Sequence, residues 1–108
     1  MKSYQIFLSP EAENDLIHLH RYLSERESAE KADQLLDELE EQIRSLENLA
    51  TRGHFPPELK RVNVLNYLEI HHKNLRIIYE IVADKLYVHA VLDMRRSLQT
   101  LLLERLLR

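Results

Sequence analysis

Apolar and polar positions recur with two different periods along this chain, and the change between them divides it. From Leu65 to Asp93 the period is two. Leu65-Asn66-Tyr67-Leu68-Glu69-Ile70-His71-His72-Lys73 breaks at Asn74, and Leu75-Arg76-Ile77-Ile78-Tyr79-Glu80-Ile81-Val82 breaks at Ala83-Asp84. Lys85-Leu86-Tyr87-Val88-His89-Ala90-Val91-Leu92-Asp93 follows. Short runs rich in Ile, Val, Leu and Tyr, split by Asn and Asp, predict three consecutive antiparallel strands. Alternation sorts their faces. Leu75, Ile77, Tyr79 and Ile81 share one side of the middle strand, and Arg76, Ile78 and Glu80 the other. In the last strand Leu86, Val88, Ala90 and Leu92 oppose Tyr87, His89, Val91 and Asp93. One sheet face is therefore expected to be buried, and the other to carry Glu69, His71, Arg76 and His89, with Arg95 and Arg96 at the strand end.

Upstream the period is helical, apart from a short alternating strand over Ser3 to Leu8. Ser9 is placed to cap a helix, Pro10 suits its first position, and Glu11 and Glu13 complement its dipole. Ala12, Leu16, Leu19 and Leu23 form its apolar stripe, which predicts a helix to about Ser24. Ser28 caps a second helix whose stripe runs Ala32, Leu35, Leu36, Leu39, Ile43, Leu46, Leu49, with a strongly acidic opposite face. Gly53 reads as the stop after that helix, and Pro56-Pro57 cannot be helical throughout. Ser97 opens a final leucine-rich helix with more leucines, Leu102 and Leu106 among them, than one core-facing stripe requires. The predicted class is α+β: a small antiparallel sheet in the order β-α-α-β-β-β-α, with an N-terminal helical hairpin packed on one face.

The chain of 108 residues is expected to form one domain over 1–108, and 44% hydrophobic residues suffice for one core. With no cysteine there are no disulfides or thiolate metal sites, a pattern that fits a reducing cytoplasm. No apolar run reaches the roughly 18 residues of a membrane span, and the start lacks the pattern of a signal peptide. Charge is segregated. Residues 1–51 hold five lysines and arginines against twelve acids, a net of −7; residues 52–108 hold ten against six, a net of +4; together these give the −3 of the whole chain. A basic C-terminal half suits an acidic partner, peptide or nucleic acid.

A single glycine rules out a Gly-rich phosphate loop and a nucleophile elbow. No metal site is expected. His71 and His72 point to opposite strand faces, His18 and His20 do not share a helix face, and His71 could meet His89 only in a favourable register. Acid–base cleavage of RNA needs a base, an acid and cations around the phosphate. Glu69, His71, Arg76, His89, Asp93, Arg95 and Arg96 include those types, although such residues also populate the wet face of an ordinary sheet. A lone Arg76 inside an Ile-rich strand needs a partner or an exposed groove.

The strand Leu75-Arg76-Ile77-Ile78-Tyr79, and Val88–Leu92 followed by Asp93-Met94-Arg95-Arg96-Ser97-Leu98-Gln99, resemble the RelE/ParE superfamily of bacterial type II toxins. The resemblance covers the whole chain in element order. ParE-like members often end the last strand with Gly-Arg-Arg-Asp; here Met94 and Ser97 replace the Gly and the Asp, while both arginines and the leucine-rich tail remain. The resemblance implies a growth inhibitor neutralised by a cognate antitoxin. ParE-like members inhibit DNA gyrase without hydrolytic chemistry. RelE-like members cleave mRNA on the ribosome with basic residues on the sheet. Where those members place lysines this chain has Tyr67 and Glu69, and no Tyr or His follows His89. The ParE-like reading is therefore preferred to the ribonuclease, with an inactive antitoxin-binding module as a third possibility. By the same resemblance Arg76, Arg95, Arg96, Leu102 and Leu106 are expected to bind the antitoxin. The three arginines are the only catalytic candidates, and no cofactor is implied.

Overall fold

In the computed structural model, residues 3–94 and Glu104 are described. The expected final helix from Ser97, with Arg95, Arg96, Leu102 and Leu106, lies outside the described residues, Glu104 excepted. The elements are β1 (Gln5–Leu8), α1 (Pro10–Arg26), α2 (Ala29–Arg44), two 3-10 turns (Ser45–Glu47 and Ala50–Arg52), α3 (Pro57–Lys60), β2 (Leu68–His72), β3 (Leu75–Val82) and β4 (Lys85–Asp93). Both predicted caps form: Ser9 Oγ accepts the Ala12 N–H and Ser28 Oγ accepts the Lys31 N–H, each at 3.1 Å. The second helix ends at Arg44 and the chain continues through the 3-10 turns, so the apolar stripe through Leu46 and Leu49 outruns the α-helix itself.

The sheet order is β1-β4-β3-β2. The last three strands form the predicted antiparallel meander, with β3 and β4 bounded where the alternation breaks. The left-handed backbone of the two hairpin turns falls on Lys73 (φ 55°) and Ala83 (φ 58°), one residue before the Asn and Asp that signal them. β1 joins β4 in parallel, which makes the sheet mixed. Its strand period gave no information about its partner.

One expectation about faces is corrected. A β-bulge at His89 makes Tyr79 pair with Val88 and Ile78 with Ala90. The extra residue reverses the alternation. Leu86, Val88 and Val91 face the helices, while Ala90 and Leu92 face the other way. The bulge lies where β1 has ended and the start of α1 takes over the β4 edge. Ser9 Oγ donates to the His89 carbonyl at 3.2 Å, and the Val91 N–H donates to Asp15 at 2.9 Å.

Both faces are covered. On one, α1 and α2 place Ala12, Leu39 and Ile43, with Leu16 and Leu35 beside them, over Ile70, Leu75, Ile77, Tyr79 and Leu86. On the other, Leu59 of α3 with Val64 and Tyr67 covers Ile78, Ala90 and Leu92. The sequence placed charged residues on an open face here. Instead Pro57 starts one helical turn, which brings Leu59 down onto the sheet.

Gly53 does not end α2 itself; it follows the second 3-10 turn, with an extended backbone (φ −75°, ψ 173°). A Cβ there would lie 2.5 Å from Tyr79 Oη and 2.8 Å from the Glu69 carbonyl oxygen. Only glycine permits so close an approach. It lets the Gly53 N–H donate to Tyr79 Oη at 3.1 Å, while that hydroxyl donates to the Ala50 carbonyl at 2.6 Å.

Candidate functional site

The approach at Gly53 brings the next residue onto the edge of β2. The His54 N–H donates to the Glu69 carbonyl at 3.0 Å and the Glu69 N–H donates to the His54 carbonyl at 2.8 Å. This bridge places the His54 imidazole over Glu69. The Lys73-Asn74 hairpin pairs His71 with Arg76 and Glu69 with Ile78, so Glu69, His71 and Arg76 share the face away from the helical hairpin. Pro57 then begins α3, which aims Glu58 at Arg76.

The result is a buried ion cluster. Arg76 is 7% exposed and Glu69 is 0% exposed. Arg76 Nε donates to Glu69 Oε1 at 2.7 Å and Nη2 to Oε2 at 2.8 Å. Nη1 and Nη2 also donate to the two oxygens of Glu58, at 2.8 and 3.0 Å. Two bidentate pairs thus occupy the guanidinium fork. His71 Nε2 lies 2.7 Å from Glu69 Oε1 and His54 Nε2 3.6 Å from Glu69 Oε2. A recess of about 240 Å³ opens above the cluster, rimmed by His54, Pro57, Arg61, His71 and Met94.

Burial alone would raise the Glu69 carboxyl, but hydrogen bonds from Arg76 and His71 and the charge of Arg76 outweigh it and hold it below the usual carboxylate range. Hydrogen bonds from Arg76 hold Glu58 low as well, against its partial burial. Burial would weaken the Arg76 guanidinium as a base; its two carboxylates reverse this and keep it charged.

Because both carboxylates titrate lower in the folded chain than the value of 4.5 for a free side chain, the stability they contribute is complete above about that pH. It is lost as pH falls through the depressed folded values. Tm is therefore expected to fall steeply below pH 4.5, and the fall should be shallower in Glu58→Gln. Equal slopes in melting curves of the two proteins would show that the cluster does not govern acid unfolding.

The other sequence-predicted groups separate. His72 turns to the helix side and lies 2.7 Å from Glu38, opposite in direction to His71. His89 meets Glu80 at 2.9 Å and the edge of the Tyr67 ring, and does not join His71. Of the two alternatives for Arg76, a partner or an exposed groove, the structure shows the partners. Arg95 and Arg96 lie outside the described residues. His54, Glu58 and Arg61 were not singled out from the sequence. Glu69 was legible as the diagonal neighbour of Arg76 across a two-residue hairpin, but Glu58 and His54 arrive by long-range folding of a proline-rich segment.

A mixed sheet with a helical hairpin on one face and a short helix over a buried arginine on the other makes this an α+β domain. The model of one family, described as the ParE toxin of the type II toxin-antitoxin system, parDE, matches residues 6–98, and the chain belongs to that family. The chain is also similar in structure to the chromosomal ParDE toxin–antitoxin system from P. aeruginosa, with a TM-score of 0.71 and 14% identity over 86% of this chain and 98% of that one. It is similar to the toxin–antitoxin complex RelBE2 from Mycobacterium tuberculosis, with a TM-score of 0.62 and 16% identity over 84% of this chain and 98% of that one. No curated protein matches it in sequence.

Proposed function

We propose that this type II toxin arrests growth by binding DNA gyrase in the cytoplasm without hydrolytic chemistry, and that a cognate antitoxin neutralises it. The observation that supports this reading is the enclosure of Arg76. An mRNA backbone held on the sheet needs exposed cations to replace its counterions. Here the central arginine is buried beneath α3 and makes four hydrogen bonds to Glu58 and Glu69. It acts through those carboxylates as a positioning residue, holding α3 to the sheet. For the antitoxin we propose contacts at Arg95, Arg96, Leu102 and Leu106, which offer charge and apolar surface to an acidic amphipathic segment. Among the described residues no helix is long and apolar enough to cross a membrane.

The second reading, ribosome-dependent mRNA cleavage, draws on the imidazoles of His71 and His54 beside Glu69. Expression in bacteria without antitoxin tests both. Filamentation with a DNA-damage response is expected; a rapid stop in protein synthesis would replace gyrase with mRNA as the target. Unimpaired growth would leave only an inactive antitoxin-binding module. His71→Ala and His89→Ala are expected to stay toxic, and a folded but harmless His71→Ala would favour cleavage.

A further inference from the structure

His54, Glu69 and His71 present three ligand atoms within 4.8 Å of one another at the floor and rim of the recess. From this juxtaposition we infer that the chain binds a first-row divalent cation of the zinc class, with two imidazole nitrogens and one buried carboxylate oxygen as protein ligands and water completing the sphere. Imidazole and carboxylate are the ligand types such ions take, and three protein ligands plus solvent is a common open arrangement. Metal–ligand bonds of about 2.0–2.2 Å set donor separations near about 3.3 Å in a tetrahedral sphere. At present His71 Nε2 lies 2.7 Å from Glu69 Oε1 and His54 Nε2 lies 3.6 Å from the other oxygen, Oε2. The three donors lie within 4.8 Å of one another, and both imidazole side chains, more than a third exposed, are placed at the rim where they can turn toward a shared ion.

Arg76 does not block the site. It approaches each Glu69 oxygen with one N–H, and a carboxylate has about four acceptor positions; the second position on Oε1 is held by His71, whose bond gives way to coordination, and the second on Oε2 faces His54. The arginine then serves as the outer partner that fixes a ligating carboxylate. Glu58 matters as well. Its charge offsets that of Arg76, so the negative charge of Glu69 is not cancelled within the buried cluster, although Arg61 on the rim adds a positive one. A bound ion would fasten the His54 segment to β2 through side chains as well as through the backbone bridge.

The site rests on geometry alone and is independent of the toxin's target, so a negative growth assay leaves it standing. The test is calorimetric titration of zinc chloride into the purified full chain without a histidine tag, with imidazole resonances followed by NMR. One zinc per chain is expected. His54→Gln and His71→Gln should each weaken binding at least tenfold. His20→Gln, which removes the exposed His20–Asp33 pair at 2.7 Å, should leave it unchanged. In the unaltered chain, zinc should shift the His54 and His71 resonances first among the six histidines. Absence of binding, binding retained in the His54→Gln/His71→Gln double variant, or first shifts at other histidines would overturn the assignment. The resonances are read without any substitution, so a variant that fails to fold does not spoil the test.

Discussion

Arg76→Met is expected to lower unfolding stability by about 3–5 kcal/mol, the scale for removing one partner of a buried charge cluster. The substitution keeps the long apolar stem but leaves Glu58 and Glu69 facing one another, with Glu69 wholly out of solvent. The cost arises from two carboxylates that have lost their counter-charge, more than from the net worth of the pairing itself. Replacing all three residues by apolar ones of similar volume, Glu58→Leu, Glu69→Leu and Arg76→Met together, should therefore recover much of the loss. Arg61→Met, at an exposed position on the recess rim, serves as control. Urea unfolding reads all three proteins. An Arg76→Met midpoint no lower than that of Arg61→Met would remove the cluster from any account of stability.

Leu39→Ala is the second large effect, at about 2–5 kcal/mol. Leu39 is fully buried at the centre of α2 and belongs to the cluster with Ile70, Ile77 and Tyr79. Truncation beyond Cβ removes apolar contacts and leaves a cavity between helix and sheet. A domain of this size has a total stability of about 5–15 kcal/mol, so the loss is a large share of the whole. Tm should fall by at least about 8 °C. Calorimetric melting decides the matter, and a change within about 0.5 kcal/mol would place Leu39 outside the load of the core.

These two positions differ in how far the sequence revealed them. Leu39 sits on an uninterrupted helical stripe, and β3 and β4 are bounded by the Asn and Asp turn signals that split the apolar runs. The parallel partner of β1 was not legible, since four alternating residues fit either edge. Nor was the bulge, because one extra residue at His89 changes the faces of Ala90 and Leu92 without changing composition. The site was half legible. An arginine in an Ile-rich strand needs a partner or an exposed groove, and Glu69 lies one hairpin away. Glu58 and His54 come from a segment of two prolines and a four-residue helix, too short for any period to show.

The pairing of β1 with β4 also sets an order of assembly. The hydrogen bond from Ser9 to the His89 carbonyl spans 80 residues. The β2–β3–β4 meander closes through two-residue turns, whereas β1 must wait for a strand that ends at Asp93. Closing so long a loop carries an entropic cost that local hairpins avoid. On the ribosome, where synthesis proceeds at about 5–20 residues per second, β1 stays unpaired until β4, about 80 residues further on, has been made. β1 is thus made before the meander strands and docked after them, an order that pulse-labelled hydrogen exchange during refolding should record as late protection of Ile6 and Leu8 relative to Ile77.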